Sequence, residues 1–127
     1  MKLILASSSP RRKKIFKRLN IPFEIILPHV NEDLISPGIN PKKYCISLAK
    51  MKAYDVSQHH KKELVVGADT IVVINDQILE KPSNNEEAEY MLRALSGRTH
   101  YVYTGVSIQW KEKYISYNFA ELTMVKF

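Results

Sequence analysis

A short apolar run near the amino end leads directly into three serines, a proline and two arginines, and this junction constrains the fold more than any other segment. Leu3–Ala6 predicts a strand. Pro10 suits the first position of a helix, where its missing N–H costs nothing, so residues 7–9 form the turn before that helix. Helix N-termini attract phosphate, and the guanidinium groups of Arg11 and Arg12 would act on the same ligand. The junction therefore predicts a strand, a turn and a helix with an anion site between them.

Length and composition favour one globular domain spanning residues 1–127. The chain has 45% hydrophobic and 25% charged residues, enough for one core and too few residues for two ordinary domains. No apolar run approaches the roughly 18 residues of a membrane span, and the start is too brief for a signal peptide, so we expect a cytoplasmic protein with no membrane partner. Cys45 is the only cysteine, which excludes an internal disulfide.

Positive charge is concentrated at the amino end. The net charge is +6, and residues 1–20 contain seven lysines or arginines and no acid, so the rest of the chain is close to neutral. Such a patch attracts polyanions, which include nucleic acid, an acidic lipid surface and the triphosphate of a nucleotide. Composition alone does not choose among these partners.

The order of predicted elements favours an α/β fold. The pattern predicts a helix from Pro10 to about residue 20, with Ile15, Phe16 and Leu19 on its apolar face, followed by a strand at 23–27 and an acidic loop at 28–40. It next predicts a helix from 41 to about 59, a buried strand at 63–74 and a hairpin turn at 75–77. A helix with Ser83 and Glu86 as its capping box and Gly97 at its end comes next, and two strands at 101–110 and 114–127 around a turn at 111–113 end the chain. We expect a mixed, twisted sheet flanked by helices.

Asp69 is the acid that folding should remove most completely from water, because it interrupts the apolar strand 63–74. A carboxylate placed there needs a partner. Two interpretations stay open: a hydrogen-bonded structural aspartate at a bulge marked by Gly67, or a general base or metal ligand. Glu32 and Asp33, in the acidic loop, could join it around Mg²⁺, which takes a few carboxylates and shares its other positions with water and phosphate.

Two lysines stand in unusual places. Lys52 lies on the apolar stripe of the second predicted helix, and Lys81 precedes Pro82 where a hairpin meets a helix. Either could simply extend to solvent. Together with the serine–arginine turn and the strand acid, however, they form the set that holds a metal-bound nucleoside triphosphate, for which catalysis consists of positioning, charge neutralisation and an activated water.

Four spaced motifs resemble those of the Maf family of nucleoside triphosphate pyrophosphatases. They are Leu-Ala-Ser-Ser-Ser-Pro-Arg-Arg at 5–12, Gly-Ala-Asp-Thr at 67–70, Glu-Lys-Pro at 80–82, and Leu-Ser-Gly-Arg-Thr-His at 95–100 continuing to Thr-Gly-Val at 104–106. The resemblance implies a Maf/ITPase-like fold and hydrolysis of a nucleotide between its α and β phosphates, with a divalent cation, Mg²⁺ or Mn²⁺. It also implies that dimers are common.

The resemblance also implies a role for each matching residue. Asp69 is the expected proton acceptor and, with Glu32, the expected metal ligand; Ser7, Arg11, Arg12, Lys52 and Lys81 are expected to bind phosphate; and Arg11 and Thr70 match positions linked to the choice of base. The branch that acts on 7-methyl-GTP usually has Trp in place of Arg11. The sequence is similar instead to the branch that acts on dTTP and UTP.

Family members continue beyond the last strand into a further lobe with a Lys-Ala-Gly stretch and a base-facing glutamine. We therefore expect this domain to be incomplete at the C-terminus and to lack the C-terminal lobe. Two alternatives to a pyrophosphatase remain: an inactive truncated remnant, and a nucleic-acid-binding module that uses the basic helix. The second is disfavoured because that helix has no interleaved surface aromatics. An exposed sheet edge would favour a homodimer.

Overall fold

A computed structural model describes residues 2–7, 9–36, 40–74, 77–79, 84–95 and 99–126. Within them a six-stranded mixed sheet and three α-helices confirm the expected fold class. The elements are β1 (Leu3–Ala6), α1 (Pro10–Lys17), β2 (Phe23–Ile25), α2 (Pro41–Ser57), β3 (Leu64–Ile74), β4 (Gln77–Leu79), α3 (Asn85–Leu95), β5 (Thr99–Trp110) and β6 (Ile115–Lys126). In the described part of the chain, no helix combines the length and apolarity needed to cross a bilayer.

The sheet contains a gap beside its central strand, β3. The strand order is β2-β1-β3-β5-β6, with β1 parallel to β2 and β3 and the remaining pairs antiparallel. On one edge of β3, β1 pairs as far as Gly67, and β4 pairs only from Val72 onward. Residues 68–71 therefore have a described strand neighbour on the β5 side only. This gap lies at the carboxyl end of β1, the kind of place where α/β sheets bind ligands.

Helix α2 covers one face of the sheet and forms the core with β3 and β5. Gly67 and Gly105 lie directly beneath it: a Cβ on Gly67 would stand 2.6 Å from the Ala49 carbonyl oxygen, and one on Gly105 would stand 2.5 Å from that of Cys45. Only glycine permits this approach. The helix buries six of its side chains, namely Cys45, Leu48, Ala49, Ala53, Val56 and Ser57.

The bulge proposed for Asp69 is wrong. Strands β3 and β5 pair without interruption from Val65 opposite Gln109 to Val73 opposite Tyr101, and Asp69 lies opposite Gly105 in that regular ladder. Gly67 is required by the close approach of α2, not by a change in strand pairing. The carboxylate therefore projects from a regular strand.

Helix α1 shows that an amphipathic pattern need not be buried. It begins at Pro10 as expected, but none of its residues is buried, and Ile15 and the following Leu19 are each 51% exposed. Its described apolar contact is an edge-to-face arrangement of Phe16 on Phe23, with ring centroids 5.7 Å apart. The helix is therefore attached to the sheet mainly through its ends and its polar side chains.

Several predicted boundaries move by a few residues. Strand β2 ends at Ile25 instead of residue 27. The N-cap of α3 is Asn84, whose Oδ1 accepts the N–H of Glu87 at 2.8 Å, so the helix begins one residue later than a Ser83 cap would allow. Asparagine and serine are equally good N-caps, so the residue type alone does not choose between positions 83 and 84. Ser83 and Gly97 lie outside the described residues.

The turn before β6 also takes one residue from the predicted strand. Tyr114 has φ +56°, the left-handed conformation, and it follows a single 3₁₀ turn at Lys111–Lys113. Strand β6 consequently begins at Ile115. A left-handed residue reverses the chain between antiparallel strands in a way that side-chain periodicity does not reveal.

Candidate active site

A cavity of about 810 Å³ opens at the gap beside β3. It is lined by every predicted site residue whose side chain the structure describes: Ser7, Arg11, Arg12, Glu32, Lys52, Asp69 and Thr70. Lys81 lies outside the described residues. The serine–arginine turn and the strand acid therefore face one cavity, as the sequence analysis expected, although they are more than 50 residues apart in the chain.

The serine–arginine turn is organised by hydrogen bonds. Ser9 is the N-cap of α1, and its Oγ accepts the backbone N–H of Arg12 at 3.5 Å. Ser7 Oγ accepts the Ser9 backbone N–H and the Arg12 Nη1, both at 3.2 Å. The other arm of the guanidinium, Nη2, donates to Thr70 Oγ1 at 2.8 Å. Arg12 thus connects the end of β1 to β3 across the gap.

Arg12 carries its positive charge in a half-buried position. Burial lowers the pKa of its guanidinium, the negative charge of Asp69 opposes that effect, and neighbouring Arg11 adds to it. Guanidinium groups stay protonated in proteins, so the group remains a cation. Its fixed fork, held by two hydroxyls, presents a planar donor to the cavity.

Another part of the cavity wall is built around Lys52. Its Nζ lies 2.6 Å from Asp69 Oδ1 and 2.9 Å from Glu32 Oε1. The side chains of Lys52 and Asp69 are 15% and 12% exposed, whereas that of Glu32 is 49% exposed. Asp69 therefore has the partner that its desolvation demanded, and the interpretation of Lys52 as a side chain that simply extends to solvent is wrong.

The net effect of the site on Lys52 is to keep it charged. Burial lowers the pKa of its ammonium, but hydrogen bonds to Asp69 and then to Glu32 outweigh burial and raise the pKa above its ordinary value. The ammonium of this trio, Lys52 with Asp69 and Glu32, therefore stays protonated at neutral pH.

Two of the acids that line the cavity are suited to binding a hard divalent cation. Among the residues described, no group of three or more His, Cys, Asp or Glu side chains converges on a common point, and the side chain of Asp33 is outside the description. Glu32 and Asp69 nevertheless converge on one ammonium at the wall of an open cavity. Mg²⁺ is commonly bound by one or two carboxylates, with water and substrate phosphates completing its shell, so this pair fits it.

Three kinds of contact at the site escaped the sequence analysis. Leu27, Pro28 and Val30 give the cavity an apolar wall, which their position after β2 could have suggested. Thr104 Oγ1 lies 3.3 Å from Thr70 Oγ1, a contact that follows from the β3–β5 register. Cys45 Sγ donates to the carbonyl oxygen of Asp69 at 3.1 Å and so attaches α2 to the strand at the site.

A family model described as Maf-like protein matches residues 2–127. A dTTP/UTP pyrophosphatase of Bacillus mycoides (strain KBAB4) is 49% identical over 126 residues, and one of Bacillus cereus (strain G9842) is 48% identical over the same length. Each alignment covers 99% of this chain and 64% of the relative. The chain thus spans a little under two thirds of these curated relatives.

Solved structures support the fold. A dITP/XTP pyrophosphatase from Mycobacterium abscessus superimposes with a TM-score of 0.63, covering 99% of this chain and 74% of that one. The Ham1 protein of Staphylococcus aureus gives a TM-score of 0.65, covering 99% and 71%. Both are 14% identical in sequence. Identity at that level shows a shared ITPase-like architecture and no more.

Proposed function

This chain belongs to the Maf family, and on that premise we propose that it carries the catalytic site of a nucleoside triphosphate pyrophosphatase that acts on dTTP and UTP. The relatives named for that activity are nearly half identical over 99% of the chain. The observation that carries the proposal is the convergence of Arg12, Asp69 and Lys52 on a single cavity large enough for a nucleotide.

In the proposed reaction, Asp69 acts on the attacking water. The water oxygen forms a bond to the α-phosphorus while Asp69 takes up its proton. The bond from the α-phosphorus to the bridging oxygen breaks, and pyrophosphate leaves with the bonding electron pair. The regular strand and the Cys45 contact to the backbone carbonyl hold Asp69 at a fixed place on the cavity wall, which favours this role.

The arginine side of the cavity binds the phosphates in this proposal. Arg12 is held by Ser7 and Thr70 in an orientation that presents its donors, and Arg11 is exposed at the same helix start. Lys81 is proposed as a further phosphate ligand. Arg11 and Thr70 are proposed to contribute to the choice of base. Positioned donors of this kind supply transition-state stabilisation without reorganisation.

We propose Mg²⁺ or Mn²⁺ as the cofactor, held by Glu32 and Asp69. Such a cation neutralises phosphate charge when bound. We also propose a cytoplasmic location, where the free nucleotide pool is found, and a homodimer. The dimer is supported by apolar side chains on β6, of which Tyr117, Leu122 and Met124 are more than half exposed.

Pyrophosphate release from purified protein tests the activity. With Mg²⁺ we expect faster release from dTTP or UTP than from dATP or dCTP. Asp69→Asn keeps the size of the side chain but removes the proton acceptor, so it should reduce the rate at least about 100-fold. The matched control is Glu89→Gln, an exposed change on α3 whose acid pairs only with Arg93 among the described contacts.

Three results would each contradict part of the proposal. Release of single phosphate would place the attack at a different phosphorus. No release from any triphosphate by protein with a folded circular dichroism spectrum would favour the inactive alternative. Activity that survives Asp69→Asn would remove that residue from the mechanism while leaving the substrate assignment intact.

A further inference from the structure

The ammonium of Lys52 occupies the point on which the two proposed metal ligands converge. It lies at hydrogen-bond distance from one oxygen of Asp69 and one of Glu32, and its side chain is 15% exposed. The three groups come from α2, β3 and the loop before α2, so this arrangement is built by the tertiary fold. A phosphate ligand would instead be expected to point toward open space in the cavity.

We propose that Lys52 is a positioning residue that takes the place of the divalent cation when the site holds none, and that it competes with that cation for Glu32 and Asp69. The inference rests on the proposed function, because that function supplies the metal. It assigns to Lys52 a role beyond phosphate binding. Lys52 keeps two carboxylates together that would otherwise repel each other at the cavity wall, and it becomes available to phosphate only after they have turned to the metal.

Electrostatics gives this competition its direction. With Lys52 in place the trio has a net charge of −1, and without the ammonium the two carboxylates have a net charge of −2. A divalent cation is attracted more strongly to the second arrangement, and at such short distances the charge interactions in a partly buried site are only weakly screened by salt. Removal of the lysine charge should therefore strengthen metal binding, whereas removal of a simple phosphate ligand should not.

The first test measures binding of Mn²⁺ alone by electron paramagnetic resonance, with no nucleotide present. Lys52→Gln should bind Mn²⁺ at least about tenfold more tightly than the natural protein, a factor that corresponds to about 1.4 kcal/mol. Lys52→Arg keeps the charge and should stay within about twofold of the natural protein. Lys50→Gln removes one exposed charge from the same helix, and it should also leave the affinity nearly unchanged.

The second test needs no substitution. Acetic anhydride modifies an amine that is accessible and unprotonated, so an ion-paired Lys52 should react slowly. Addition of Mg²⁺ should increase its acetylation severalfold because the ammonium leaves the carboxylates. Lys50, quantified by mass spectrometry in the same digest, is the internal control and should not respond. This measurement remains available if Lys52→Gln does not fold.

The outcomes separate this inference from the proposed activity, since neither test requires turnover. If Lys52→Gln binds Mn²⁺ more tightly and the natural protein releases no pyrophosphate from any triphosphate, the inference is supported and the proposed activity is contradicted. Unchanged or weaker Mn²⁺ binding by folded Lys52→Gln would overturn the inference, as would Lys52 acetylation that does not respond to Mg²⁺. Either result would leave the pyrophosphatase proposal untouched.

Discussion

Helices α1 and α2 both supply cations to the cavity, but they are held in place by different forces. Both begin with a capping side chain followed by proline, Ser9 before Pro10 and Asn40 before Pro41. Beyond that start they differ. The 17-residue α2 buries six side chains against the sheet, whereas the 8-residue α1 buries none.

This difference divides the site into a packed half and a hydrogen-bonded half. Lys52 is carried by a helix whose position is set by close contact with the sheet at two glycines. Arg12 is carried by a helix held through its cap, the guanidinium bonds to Ser7 and Thr70, and one aromatic contact. Packed interiors resist displacement, whereas exposed polar contacts are easily exchanged for water or ligand. The half of the site that contains Lys52 and Asp69 should therefore be the more rigid one.

The largest expected effect comes from separating α2 from the sheet. In Gly105→Ala the new Cβ would meet the backbone of Cys45 at 2.5 Å, and backbone atoms cannot move aside as a flexible side chain would. We expect a loss of about 3 kcal/mol in the free energy of unfolding, measured by urea titration. Thr99→Ala, at the exposed start of the same strand, is the control and should cost well under that. A cost below about 1 kcal/mol for Gly105→Ala would show that α2 is not so tightly constrained.

An intermediate effect is expected from alkaline pH, again on the α2 side. Burial, and after it the charge of Asp69, raises the pKa of the Cys45 thiol from 9.0 to about 11. Because the folded pKa is the higher one, the neutral thiol stabilises the fold fully below pH 9, and this contribution is lost as pH rises through about 11.

Comparison with Cys45→Ser isolates this contribution, because serine does not ionise in that range. From pH 8 to pH 11 the natural protein should lose about 2 kcal/mol of unfolding free energy more than the variant does. Urea titrations at several pH values measure the difference. If the unfolding free energies of the two proteins changed in parallel with pH, the pKa of the Cys45 thiol would not be raised in the fold.

The smallest effect is expected at the start of α1. Ser9→Ala removes the N-cap acceptor, whose bond to the Arg12 N–H is long at 3.5 Å, so the cost should be about 0.5–1 kcal/mol. Hydrogen exchange should accelerate in α1 and stay unchanged in α2. Equal acceleration in both helices would show that they unfold together and would remove the proposed difference between the two halves of the site.

Particular residues show how far the sequence could predict this structure. The junction at residues 7–12 predicted a capped helix beside an anion site, and the structure places Ser7 and residues 9–12 at the cavity. The alternation around Asp69 predicted a desolvated acid with a partner, and that partner is Lys52. In contrast, the pattern gave no sign that Ile15 would remain exposed or that Gly67 reflects helix packing instead of a bulge.

The sequence itself determined the order of elements, the start of α1 and the need of Asp69 for a partner. It could do so because periodicity, proline and capping residues act within a few positions of the chain. The choice of partner was decided only by the tertiary structure. Lys52 reaches Asp69 and Glu32 because α2 packs across β3 and β5, directly over Gly67 and Gly105. Such contacts depend on strand register and on helix position across the sheet, and no local pattern encodes either.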